Sequence, residues 1–316
     1  MLMKRGGYQE ATDGFTIVEV LIVLAVSSLL LISAINLVNG RQARAEFTTG
    51  ANDELQQLQQ LINETASGYY PNNNDFTCSG SAAGPVTLSL AAHGSTSQGT
   101  NTGCIFLGKV VQFGIGASYP QSSTVGVMPV VGNQYQNTGG SLTPILTVAA
   151  STPRAVYPTN AGEYSGVPTD TATQSTLEYG LQIAKGNSSC GLGASAVCYQ
   201  PISGGAFAQT GMAAFVAGDS SGNIAATASG STTNLQSGSE PMSLYGVKSS
   251  AVGNSLETAS ASMGSISRSS GLGNLDPAAA ILICFDDPDT NESGLYTISG
   301  SGNLSVTLTI KNGLTC

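Results

Sequence analysis

The sequence predicts an α+β chain, with a long hydrophobic N-terminal α-helix followed by a large β-rich globular head carrying disulfides. Three observations predict it. Apolar residues run almost unbroken from Phe15 to Val38. Behind them, apolar residues recur at helical spacing to about Ser67. The remainder is rich in Gly, Ser, Thr and Asn and falls into short apolar stretches bounded by turn residues.

The apolar run justifies the first element. At 1.5 Å rise per residue it would be about 36 Å long, against about 30 Å for the hydrocarbon core of a bilayer. A cleaved secretory signal is the competing reading, but its apolar region spans only about 7 to 15 residues. Glu19 is the one charge between Phe15 and Val38. A carboxylate inside a membrane helix costs on the order of a few kcal/mol, so a partner is expected. A cut after Gly14 would make Phe15 a cationic amino terminus one helical turn from Glu19. Within one subunit the two groups are close but poorly aligned. Between staggered neighbours in a helical bundle, the carboxylate of one subunit neutralises the amine of the next, and the pair acts as a register device.

The segment GFTIVEVLIVLAV resembles the class III signal of type IV prepilins and type II secretion pseudopilins. The likeness covers about Gly14 to Asn39: a glycine ending a short leader, a phenylalanine, a threonine and a glutamate at the family's spacing, then an apolar run. It implies a leader at 1–14, a transmembrane and filament-core helix at 15–38 (the pilin spine), an amphipathic continuation at 39–68 and an extracytoplasmic head at 69–316. It also implies cleavage after Gly14 by prepilin peptidase, N-methylation of Phe15 and docking by Glu19. A membrane assembly platform with a cytoplasmic ATPase would extrude the polymer. The chain would lie in membrane lipid as a single-pass protein of the inner or cytoplasmic membrane, then join other pilin subunits in an extracellular filament. Two features depart from the family pattern. Lys4 and Arg5 of the leader are balanced by Glu10 and Asp13, and Asn36 stands where many major pilins carry a helix proline. Without that proline a continuous helix is expected, with Ser27, Ser28, Ser33 and Asn36 able to compete for backbone hydrogen bonds. Arg41 and Arg44, just past the run, are expected to meet lipid head groups or acids such as Glu46 of a neighbouring subunit.

Phe47, Ala51, Leu55, Leu58 and Ile62 follow at spacings of three and four and form one helix face, expected to pack beneath the head, with a coiled-coil seam to a partner as the alternative. Gly50 costs something in mid-helix, while the glutamine-rich stretch from Leu55 to Glu64 favours helix. Candidate strands are Val86 to Leu90, Cys104 to Ile115, Val125 to Val131, Pro144 to Ala150, Leu177 to Ala184, Ala213 to Ala217, Met242 to Lys248, Ala278 to Phe285, Leu295 to Ser299 and Leu304 to Lys311. The last two form a hairpin around SGSGN, with Val306, Leu308 and Ile310 on one face. Long low-complexity loops are expected at His93 to Gly103, Gly218 to Ser239 and Ser249 to Gly273.

Composition narrows the function. Only 9% of the 316 residues are charged and 40 are glycine, which suits an exported protein solubilised by hydroxyls and amides. The net charge of −9 leaves no extended basic surface for nucleic acid. The six cysteines lie beyond the membrane helix, as in an oxidising compartment. The nearest-neighbour set, Cys78 with Cys104, Cys190 with Cys198 and Cys284 with Cys316, is the expected pairing. Its last bridge resembles the disulfide-closed carboxy-terminal region of many pilins, and the sequence leaves the other connectivities open.

An enzyme is not expected. His93 is the single histidine, in a stretch expected to be a loop, and no GxSxG, SxxK, Walker or dinucleotide fingerprint occurs. No cofactor is implied except calcium. Asp287, Asp289 and Asn291 repeat the opening of a calcium loop, with Asp286 and Glu292 nearby, and some pseudopilins hold calcium in a carboxy-terminal loop. The match then fails, with Glu292 at the glycine position and Ile298 at the twelfth, so an ordinary polar turn competes with it. The function expected is therefore structural, in a type IV pilus-like filament. The size of the head points to a minor pilin serving adhesion or priming, and a type II secretion pseudopilin is the alternative.

Overall fold

The computed structural model describes residues 16–66, 76–79, 87–90, 104–114, 123–133, 135–138, 141–145, 151, 154–155, 173–184, 197–202, 206–217, 242–248, 275–287, 289–300 and 303–313. Gly14, Phe15, His93, Cys190, Cys316 and the three long low-complexity stretches lie outside the described residues. The chain divides into two compact units, Met1–Ala45 and Glu46–Cys316. Helix α1, Ile17–Ala66, contributes its first part to one unit and its residues from Glu46 onward to the other.

In the first unit, α1 is long and apolar enough to cross a membrane, and none of its most apolar stretch of 18 residues is buried. Hydroxyls within it are satisfied locally. Ser28 Oγ donates to Leu24 O at 2.7 Å and Ser33 Oγ to Leu29 O at 2.9 Å, the back-bonding that lets serine sit in an apolar helix.

The second unit contains the strands β1 (Phe76–Ser79), β2 (Thr87–Leu90), β3 (Cys104–Phe113), β4 (Thr124–Asn133), β5 (Tyr135–Thr138), β6 (Ser141–Pro144), β7 (Arg154–Ala155), β8 (Thr173–Thr176), β9 (Gln182–Ile183), β10 (Val197–Pro201), β11 (Ala208–Ala217), β12 (Met242–Lys248), β13 (Leu275–Asp287), β14 (Glu292–Ser299) and β15 (Ser305–Asn312). Among the described residues eleven of them form one antiparallel sheet. Its main order is β15-β14-β13-β10-β11-β3-β4-β7, with β12 against β11 and β13, β9 against β13 and β8 against β4. β1 with β2 and β5 with β6 form separate two-stranded ribbons.

One sheet face is covered by the part of α1 that follows Glu46. Phe47, Ala51, Leu58 and Ile62 are buried with Val111, Phe113, Phe215, Leu244, Ile281, Ile283, Phe285, Tyr296 and Ile298 in one cluster. The opposite face of the central strands is buried too, with Val110, Met128, Val130, Ala214 and Val216 inaccessible to solvent. Burial on both faces explains why central strands read as continuous apolar runs and not as alternating patterns. Phe113, Phe285 and Tyr296 stack edge to face in series, with centroids 5.8 Å and 4.8 Å apart.

Two sequence expectations need correction. The stretch Leu177 to Ala184 is not one strand: Glu178 to Gly180 form a turn, with Tyr179 at φ 56° and Gly180 at φ 76°. Gly50 accounts for it. A Cβ there would run into Leu181 Cδ1 and lie 3.2 Å from Glu178 O, so the helix carries a glycine where this turn packs against it. The stretch Pro144 to Ala150 does not begin a strand, because β6 ends at Pro144; residues 146–150 lie outside the described residues. The helix stripe packs as expected, with Leu55 half-buried against the same cluster, and it also takes in Glu54, 6% exposed. Strand β10 was not expected at all, yet it pairs with both β11 and β13. Edge strand β15 keeps the expected alternation, but its inward face fades from buried Val306 to exposed Ile310.

Candidate functional site

The start of α1 is built from four neighbouring residues. Thr16 precedes the first helical residue, Ile17, and its backbone N–H and its hydroxyl each donate to Glu19 Oε2 at 3.0 Å. In return Glu19 N–H donates to Thr16 Oγ1 at 3.3 Å. This reciprocal arrangement is a capping box. It satisfies backbone donors that the first helical turn leaves open, and it places the carboxylate at the positive end of the helix dipole. The signature T-x-x-E stands in the sequence as Thr16-Ile17-Val18-Glu19 and identifies the cap directly.

The carboxylate therefore has a local partner in Thr16. Its surroundings are apolar, since Ile17, Val18, Val20, Leu21 and Ile22 are all exposed. A helix surface of this kind, with one acid at its end, is suited to lipid or to other apolar helices. Gly14 and Phe15, the expected processing positions, lie outside the described residues.

In the head, two carboxyls on α1 meet the sheet differently. Glu64 pairs with Lys109 of β3 and accepts a hydrogen bond from Gln60 Nε2 at 2.7 Å. Partial burial pushes Glu64 up, but the hydrogen bonds from Lys109 and Gln60 and the lysine charge outweigh it and hold the carboxyl below its usual range. Glu54 has no such support among the described residues. Burial pushes it up to about 7. Beside it, Tyr296 Oη donates to Ala51 O at 2.7 Å, tying β14 to the helix.

The acidic stretch near the C-terminus forms the turn between β13 and β14. Asp287 Oδ1 accepts from Asp289 N–H and Asp287 Oδ2 from Thr290 Oγ1, both at 2.9 Å. Asn291 N–H donates to Asp287 O at 3.0 Å, and Asn291 takes φ 56°, a conformation asparagine tolerates. Both side-chain oxygens of Asp287 thus serve the turn. Among the described residues no group of three or more His, Cys, Asp or Glu is arranged to hold a metal ion.

Cys198 on β10 and Cys284 on β13 are fully buried. Their expected partners, Cys190 and Cys316, lie outside the described residues, and of Cys78 and Cys104 only the strand positions are described.

No family model matches the chain, and no curated protein sequence or solved structure is similar enough to it to count as a match.

Proposed function

We propose that the chain is a structural subunit of a type IV pilus-like filament, built through its N-terminal helix. The observation that carries the reading is Glu19, the one charged residue between Phe15 and Val38, standing five residues after Gly14 at the head of an exposed apolar helix. Prepilin peptidase cuts after Gly14 and methylates Phe15, and the new amino terminus supplies the cation that Glu19 of an incoming subunit neutralises. The Thr16 hydrogen bonds keep the carboxylate oriented until then, so the charge is partly satisfied before a partner arrives. The membrane platform draws the helix from lipid into a bundle of like helices, and the β-rich head faces outward. The mechanism is assembly, with no catalytic turnover.

The head supports a minor subunit displayed on such a filament, with adhesion as its role. The same signal serves type II secretion pseudopilins, and abundance in sheared surface filaments separates the two machines. The role of Glu19 is tested with Glu19→Ala in cells. A chain that is processed after Gly14 but excluded from filaments is expected. Normal incorporation would refute the role given to the carboxylate.

A further inference from the structure

The seam between α1 and the sheet contains one group that does not belong to an apolar interface. Glu54 lies on the helix stripe between buried Ala51 and Leu58 and is itself 6% exposed. The nearby donor cannot serve it. The Tyr296 hydroxyl has a single proton, and that proton goes to Ala51 O. Among the described residues no hydrogen bond or ion pair reaches the Glu54 carboxyl. A neutral carboxyl tolerates such a place far better than a carboxylate, which must either find donors or admit water.

The charged and titratable groups on the elements packed here do not change this. On β14 the facing group is Tyr296, whose ionisation Glu54 opposes. Lys109 on β3 is engaged by Glu64, ten residues along the helix. Tyr199 on β10 donates to Asp276 Oδ2 at 2.6 Å. Asp287 and Glu292 stand at the β13–β14 turn, Asp287 beside Gly180, and Glu178 lies in the turn against Gly50. Val306 and Leu308 bring β15 to the helix side without a charge, and exposed Lys311 alternates with them along the strand. Burial alone is what raises Glu54.

We propose that Glu54 is a pH-sensitive latch for the seam: protonated, it lets α1 seat on the sheet, and ionised, it opens the seam locally around Ala51 and Tyr296. The opening is local because the opposite face of the sheet has its own buried layer, which includes Met128, Val130 and Val216. The device sets how firmly the head grips its helix in acid and in alkaline surroundings. It does not depend on the filament reading.

Hydroxyl-radical footprinting of the full chain in detergent micelles tests it, with the radical dose calibrated at each pH. Phe47, Leu58 and Tyr296 report on the seam, and Met128 is the internal reference on the opposite face. Between about pH 5 and about pH 8.5 the open population is expected to rise roughly 70-fold, the ratio required by ionisation near 7 when seated and 4.5 when released. Glu54→Gln and Glu54→Leu, neither of which ionises, are expected to hold the seam labelling constant over that range. Labelling of the wild-type seam that is independent of pH, pH dependence that survives in both variants, or Met128 labelled in parallel with the seam would each overturn the proposal.

Discussion

Glu54→Gln is expected to stabilise the folded chain, and the gain should depend on pH in a defined way. Raising the carboxyl from 4.5 to about 7 on folding corresponds to about 3 kcal/mol, because each tenfold change in proton affinity is worth about 1.4 kcal/mol. At 6% exposure, solvent screening takes little from this figure. The sign follows from proton counting. Between pH 4.5 and about 7 the folded chain keeps a proton on Glu54 that the unfolded chain has lost, so stability falls as pH rises through that window and is flat above it. Glu64 acts in the opposite sense, since folding favours its ionised form; that contribution is present above 4.5 and is lost as pH falls through its lowered folded value. The difference between wild type and Glu54→Gln cancels that contribution. The assay is denaturant unfolding of the full chain in micelles, disulfides intact, followed by near-ultraviolet circular dichroism of its 11 tyrosines, tryptophan being absent. The two chains should match at about pH 4 and diverge to about 3 kcal/mol in favour of Glu54→Gln above pH 7.5. An equal offset at every pH would refute the reasoning.

Other perturbations follow from the same contacts. Gly246→Ala should destabilise the head by about 2 to 4 kcal/mol in the same unfolding assay, because a Cβ there would strike the ring of Tyr199, 4% exposed and bonded to Asp276. An unchanged midpoint would mean that the ring has room to move. Lys109→Met should cost about 1 to 3 kcal/mol at neutral pH, with the loss shrinking as Glu64 is protonated in acid; a pH-independent loss would assign the effect to packing. Millimolar calcium should leave the thermal midpoint of the full chain unchanged, since both Asp287 side-chain oxygens are held within their turn. A calcium-dependent rise would make Asp287, Asp289 and Asn291 ligands after all.

Periodicity revealed the helix face because Phe47, Ala51, Leu58 and Ile62 are apolar and each one is buried. It missed Glu54, which has the right spacing between Ala51 and Leu58 but the wrong chemistry, while neighbouring Leu55 packs half-buried against the same cluster. Strand β12 was legible to the residue, being an apolar run closed by lysine. Strand β10 was not, because VCYQP is short and contains Gln and Pro; its strand geometry is reinforced by partners on both sides. The stretch LEYGLQIA alternates like a strand, and nothing local marks Tyr179 as a residue at positive φ. That conformation belongs to a turn packed against Gly50, far away in sequence. At the helix start, the acid stands out as a lone charge, and its cap is written beside it as the T-x-x-E of Thr16 to Glu19. Glu19 invited an intermolecular partner, and the nearer one was Thr16, three residues back.

The central claim is that Gly14, Phe15 and Glu19 form one assembly device. It is tested most directly by mass spectrometry of filaments sheared from cells that make the chain. The account predicts a terminal peptide beginning with N-methylated Phe15 and lacking residues 1–14. Recovery of the chain only from membranes, with Met1 to Gly14 still attached, would contradict it.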